Sequence, residues 1–209
     1  MSKPASPPLT AEAFAAACNV SRETLSRCET YLALLRRWQP HLNLVGPSTL
    51  SDPWRRHFLD SAQLLPLMPE GTRVVLDVGS GAGFPGLVLA ILGVPEVHLV
   101  EADQRKVVFL REAARHTNTT VTVHARRLET LDPFPVDVVT ARALAPLPRL
   151  LDWTAPFLEK GAEALFLKGE AVEEELTESG SAWMMRVDRF PSRTGSSGFV
   201  LRLGEVRRV

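Results

Sequence analysis

Cysteine is almost missing from this chain: Cys18 and Cys28 are the only two in 209 residues. That is too few for a disulfide framework, and without a C-x-x-C pair there is no cysteine metal site. No sign of charge dominates either, since 24 lysines and arginines balance 24 aspartates and glutamates. A neutral chain is not a general polyanion binder, so nucleic acid would be met by a local basic patch. Long apolar runs are lacking as well. The longest, Leu87 to Leu92, falls far short of the roughly 20 residues of a membrane span. The N-terminus, MSKPASPPLT, holds no apolar signal core. The expectation is a soluble, cytoplasmic monomer with no membrane or metal partner. Aromatic residues make up only 7%. Trp38, Trp54, Phe58 and Phe84 read as core, with Trp54 the best exposed candidate for stacking on a base.

What is present falls into two parts behind a tail. Residues 1–10 read as a flexible tail, residues 11–70 as a helical module, and residues 71–209 as a Rossmann-like domain. In the module, Leu25, Cys28, Leu32, Leu35 and Trp38 recur at helical spacing, Ser21 is a suitable N-cap, and Pro40 ends the helix. SDPW starts a second helix, with Ser51 or Asp52 as cap and Pro53 in the first position. From Arg73 short apolar runs alternate with helical segments. The predicted strands are Val74–Val78, Val97–Glu101, Val121–His124, Val136–Ala141 and Ala164–Lys168. The predicted helices cover 84–92, 104–116 and 147–157. Two closing strands flank the turn SRTGSSG. Such alternation implies an α/β fold, a mostly parallel sheet with helices on both faces.

The stretch LDVGSGAGFPG, Leu76 to Gly86, carries the densest signal. Gly81-Ala82-Gly83-Phe84-Pro85-Gly86 satisfies G-x-G-x-x-G, and Glu101 stands about twenty residues on at the next strand end, as in dinucleotide-binding loops. The same residues also satisfy D-x-G-x-G-x-G, through Asp77, Gly79, Gly81 and Gly83. A carboxylate beside a diphosphate would repel it. A cofactor with an ammonium and a sulfonium, S-adenosylmethionine, is attracted instead. Asp77 would draw its amino end and Glu101 would accept both ribose hydroxyls. A nicotinamide-dependent oxidoreductase and a non-enzymatic, cofactor-sensing RNA-binding assembly factor remain open alternatives.

Other segments stand in order around this loop: LNLVG (Leu42–Gly46), RHFLDSAQLL (Arg56–Leu65), EADQRKVVFLR (Glu101–Arg111), RLETL (Arg127–Leu131), VTARALAPL (Val139–Leu147) and FLKG (Phe166–Gly169). Together with LDVGSGAGFPGLVLAI they resemble the glucose-inhibited division protein B family, also called RsmG, over roughly residues 20 to 170. The C-terminal PSRTGSSGFVLRL departs from the family pattern. The resemblance implies a class I S-adenosylmethionine-dependent methyltransferase fold and guanine-N7 methylation of 16S rRNA, at the guanine numbered 527. With zero net charge, the chain is expected to rely on the assembled small ribosomal subunit for much of its recognition. By position the resemblance further implies cofactor contacts at Gly79, Phe84, Leu128, Glu129 and Arg142, beside Asp77, Gly81 and Glu101 from the loop pattern.

Guanine N7 offers an in-plane lone pair and no proton, so methylation there needs alignment and no general base. No catalytic residue is expected. Arg142, always protonated, is a candidate substrate orienter, able to fork onto guanine O6, a phosphate or the cofactor carboxylate; an ion pair with Asp60 or Asp137 is the plainer alternative. Lys168 could meet phosphate or simply be a solvated strand-end lysine. His57 reads as a packing residue or a group at the substrate mouth. Arg36–Arg37, Arg55–Arg56, Arg105–Lys106 and Arg126–Arg127 are candidates for an RNA-facing surface.

Overall fold

A computed structural model describes residues 7–195 and 197–209. Seven strands form one sheet in the order β3-β2-β1-β4-β5-β7-β6. They are β1 (Val74–Val78), β2 (Glu96–Val100), β3 (Thr122–His124), β4 (Val138–Arg142), β5 (Glu163–Lys168), β6 (Trp183–Pro191) and β7 (Phe199–Arg208). The first five run parallel, while β7 and β6 close one edge as an antiparallel pair. The chain leaves β1 toward β2 on one side and later adds β4 on the other. That reversal opens a crevice beyond the carboxyl ends of β1 and β4.

Both faces of the sheet are covered, so its central strands are apolar almost throughout. Alternate residues enter different cores. On one face Val75, Leu99, Val138 and Leu165 pack against the N-terminal segments through Phe14, Tyr31, Leu35 and Phe58, and against helices α4 (Gly86–Ile91) and α5 (Gln104–His116). On the other face Leu76, Val78, Val139 and Phe166 pack against α6 (Leu147–Leu158) and α7 (Val172–Ser179).

The N-terminal segments comprise α1 (Ala11–Cys18), α2 (Arg22–Trp38) and a broken helical stretch. The Ser21 hydroxyl accepts the Thr24 amide, as its capping role requires. After SDPW the expected helix is interrupted. A π-helical turn, Trp54–Leu59, leads into one α-turn, α3 (Asp60–Ala62), and then a 3-10 turn, Leu65–Leu67. Pro53 does open it, but the Asp52 carboxylate accepts from the Leu9 amide and from Arg55. Those bonds correct the tail boundary. The Pro7 carbonyl accepts from Arg55 and Thr10 caps α1, so residues 7–10 are held against the module. Residues 1–6 lie outside the described residues.

Other boundaries shift for identifiable reasons. The helix expected from Phe84 begins at Gly86, after the Phe84–Pro85 pair. Helix α7 was not expected. It has only two apolar positions, Val172 and Leu176, but three glutamates in its first turn, where they favour the helix dipole. Trp54 is buried against Phe14 and Phe58, which removes it as a stacking platform. No helix among the described residues is long and apolar enough to cross a membrane.

Candidate functional site

Beyond the ends of β1, β2, β4 and β5 lies a cavity of about 1060 Å³, large enough for a cofactor and part of a substrate. Gly79, Gly81, Phe84, Glu101, Leu128, Glu129 and Arg142 all line it. The loop after β1 forms its floor. The Ser80 amide donates to the Val100 carbonyl and the Gly81 amide to Glu101 Oε2 at 2.9 Å. Glu101 Oε1 accepts the Asp103 amide at 2.8 Å. One carboxylate at the end of β2 therefore ties the glycine loop to the next strand and keeps lone pairs for a ligand. The φ angles of Gly79 and Gly81 are +64° and +56°, a region costly for other residues. At Gly79 a side chain would also strike Leu144, whose Cδ2 would lie 2.8 Å from the added carbon.

Asp77 is the exception. It does not line the cavity, and it is fully buried. Its register partner on β4 is Thr140, whose hydroxyl donates to Asp77 Oδ1 at 2.8 Å. Oδ2 has no hydrogen-bond partner among the described residues. Burial pushes the carboxyl up to about 6, partly offset by the Ser80 and Thr140 hydroxyls. Of the residues expected to hold the cofactor, Asp77 alone is set back from the cavity lining. Asp77 shares a face with Val75, under α4, where Gly86 leaves room for it; a Cβ on Gly86 would lie 2.7 Å from that of Asp77. Its charge can reach the cavity only through space, strengthened by the low-dielectric surroundings.

The opposite wall follows β4 and β5. Arg142 ends β4 and makes the ion pair with Asp60, at 3.3 Å, that was the plainer alternative for it; the residue nevertheless lines the cavity. Its Cζ stands 5.0 Å over the Phe84 ring, which itself stacks with His57 and Tyr31. Lys168 is not a solvated lysine. Its side chain is 8% exposed, pairs with Glu175 at 2.5 Å and donates to the Ala145 carbonyl. Glu175 also accepts the Leu147 amide at the start of α6. Together they clamp the segment carrying Leu144 over Gly79.

Around the mouth stand Arg56, Lys106, Arg126, Arg127 and Arg149, with Arg149 stacked on Trp153. Three of the four expected basic pairs thus contribute, while Arg36 and Arg37 lie elsewhere. Arg105 does not line the cavity; it pairs with Asp103. Arg149 and Trp153 were missed because a single Arg on an amphipathic helix looks like any solvated residue. The Leu144 contact and the Glu175 clamp had no sequence signal, since both depend on segments that meet only in the folded chain.

The cavity residues suit S-adenosylmethionine: flexible glycines and an anchored carboxylate on one side, buried Leu128 beside them, and the unpaired Asp77 oxygen beneath. Comparison with known proteins points the same way. A family described as rRNA small subunit methyltransferase G (GidB) matches residues 24–194. A protein of Rhodospirillum rubrum named ribosomal RNA small subunit methyltransferase G is 66% identical over 201 residues, 96% of this chain and 100% of that one. One of the same name from Rhodospirillum centenum is 59% identical, over 96% and 93%. Among solved structures, an O-methyltransferase from Bacillus cereus in complex with SAH superposes with a TM-score of 0.57 at 15% identity, covering 85% of this chain and 91% of that one, and so shares the fold. With the family spanning both walls of the cavity at this level of identity, the chain belongs to the rRNA small subunit methyltransferase G family.

Proposed function

We propose that this protein binds S-adenosylmethionine in the cavity and methylates N7 of a guanine of 16S rRNA, the one numbered 527, within the small ribosomal subunit. The observation that carries this reading is Glu101, which anchors the glycine loop through the Gly81 amide while facing the cavity. When bound, the cofactor supplies an electrophilic methyl group on a sulfonium.

The residues divide the remaining work. Glu101 would hold the ribose hydroxyls, Gly79 and Gly81 would bring backbone against the methionine portion, and Leu128 with Glu129 would border the adenine. Asp77 would favour the cationic end from beneath the loop. Arg142 would orient an anionic group, or the base through O6. A fork onto both O6 and N7 is ruled out during reaction, because it would occupy the lone pair that attacks. No residue needs to remove a proton. His57, pulled down to about 3 by burial and by the neighbouring Arg142 and Arg56 charges, is no proton acceptor at neutral pH. The basic rim would meet RNA phosphates, and a chain of zero net charge would depend on an assembled particle for much of its recognition.

The test is transfer of labelled methyl to small subunits lacking the modification, with the base mapped, alongside bare 16S rRNA. Label at guanine N7 supports the reading. Absence of transfer to either substrate would leave only a cofactor-sensing factor, and equal turnover on both would remove the dependence on the particle.

A further inference from the structure

Three acceptors gather on one nitrogen of Arg142. Nη1 donates to the Arg56 carbonyl at 3.0 Å and to Asp60 Oδ2 at 3.3 Å, and it stands 3.2 Å from His57 Nδ1. A guanidinium only donates, so His57 Nδ1 carries the lone pair and the ring proton sits on Nε2. That nitrogen is 2.8 Å from the Thr49 hydroxyl oxygen. The Thr49 hydroxyl spends its own hydrogen on the Gly46 carbonyl, at 2.6 Å, and so can accept. Donation therefore runs in one direction, from Arg142 to His57, to Thr49, to Gly46. A protonated ring would turn an N–H toward the guanidinium, and burial disfavours that form.

The ring is placed by two further features. It lies in the π-helical turn Trp54–Leu59, a local irregularity often found at functional sites. It stacks on Phe84 with centroids 4.8 Å apart, the same ring that carries Arg142. Asp60, beyond the turn, is held in place by Gln63 and by the Thr194 hydroxyl. All three contacts of Arg142 use Nη1, whose two hydrogens they share, one of them as a bifurcated bond. Among the described residues no acceptor meets Nε or Nη2, yet the side chain lines the cavity.

We propose that neutral His57, its tautomer set by Thr49, is a positioning residue that grips Arg142 by Nη1 and leaves the Nε–Nη2 edge for a pair of anionic oxygens in the cavity. This rests on the reading of Arg142 as a binding residue. The ligand chemistry is a carboxylate or a phosphate, since that edge matches either in a two-bond fork. The cofactor carboxylate and an RNA phosphate are the two sources.

Two substitutions separate hydrogen bonding from packing. His57→Phe keeps an aromatic plate against Phe84 and loses the acceptor. His57→Asn loses the plate and keeps an acceptor near Nδ1. The full chain is assayed by calorimetric binding of S-adenosylhomocysteine and of methylthioadenosine, which lacks the amino-acid carboxylate, by kcat and KM on small subunits, and by melting temperature. His57→Phe is expected to weaken one binding step about tenfold, and His57→Asn to stay within about threefold of the parent. Loss confined to S-adenosylhomocysteine assigns the edge to the carboxylate; a raised KM for subunits with unchanged cofactor affinity assigns it to phosphate. An active Phe variant beside an inactive Asn variant overturns the proposal in favour of packing. Arg142→Ala without effect on either binding step overturns the reading beneath it, whereas an effect of Arg142→Ala with none from His57→Phe overturns the positioning role alone. Independently of activity, long-range nitrogen–proton NMR should find the His57 proton on Nε2, and Thr49→Val should disturb that pattern; a proton on Nδ1 overturns the proposal even if the variants fail to fold.

Discussion

The two walls of the cavity are built on different principles. After β1 and β2, one carboxylate takes backbone amides that lie 20 and 2 residues away in the chain. After β4 and β5, side chains reach across the molecule. Arg142 bonds to residues 82 to 86 positions upstream, and Lys168 and Glu175 clamp the Ala145–Leu147 segment from two other elements. The first wall is a local motif and the second a tertiary assembly. The first should tolerate changes elsewhere in the fold, and the second should fail when one distant partner is lost.

The largest expected effect breaks the second wall. Lys168→Met leaves Glu175 charged and mostly buried, and should cost about 3 kcal/mol in chemical denaturation. A loss below about 0.5 kcal/mol would mean that solvent already satisfies the pair. On the first wall, Glu101→Ala frees two amides and removes the ribose acceptor. Cofactor affinity by calorimetry should drop about a hundredfold with little change in the fold, given that hydrogen bonds to charged groups are the stronger ones. Retention of affinity within threefold would strip Glu101 of its role.

Asp77 sharpens the contrast, because it belongs to the first wall by position and to the core by burial. Its folded value, about 6, is above the ordinary 3.8. The folded state therefore binds the proton more tightly, and this contribution is full below pH about 4 and is lost as pH rises through about 6. Asp77→Asn should thus match the parent near pH 4 and exceed it by about 3 kcal/mol at pH 8, while cofactor affinity weakens. Equal stability of the two proteins across that range would show the carboxylate to be well solvated or paired. The smallest effect concerns the rim. Arg126→Ala should weaken subunit binding about threefold and lower its salt slope by about one, with cofactor affinity unchanged. An unaltered salt slope would place the RNA elsewhere.

Legibility followed the same division. Helix α5 spans Gln104 to His116 and α2 ends at Trp38, both as expected. Their signals are periodic and local. The π-turn was not legible, because an extra residue per turn breaks the helical period on which such a reading depends. In β1, VVLDV is apolar on both sides of Asp77, so alternation could not say which face the carboxylate would take.

From the sequence alone came the order of the strands and of most helices, the glycine loop, the acid twenty residues on and the family. All of these are set by short-range spacing or by the joint occurrence of motifs along the chain. Tertiary structure decided that Asp77 is buried beside Thr140 outside the cavity lining, that His57 meets Arg142, and that Lys168 pairs with Glu175 in a buried clamp. Each depends on which groups exclude water together, and that is settled only when segments far apart in the chain pack against one another.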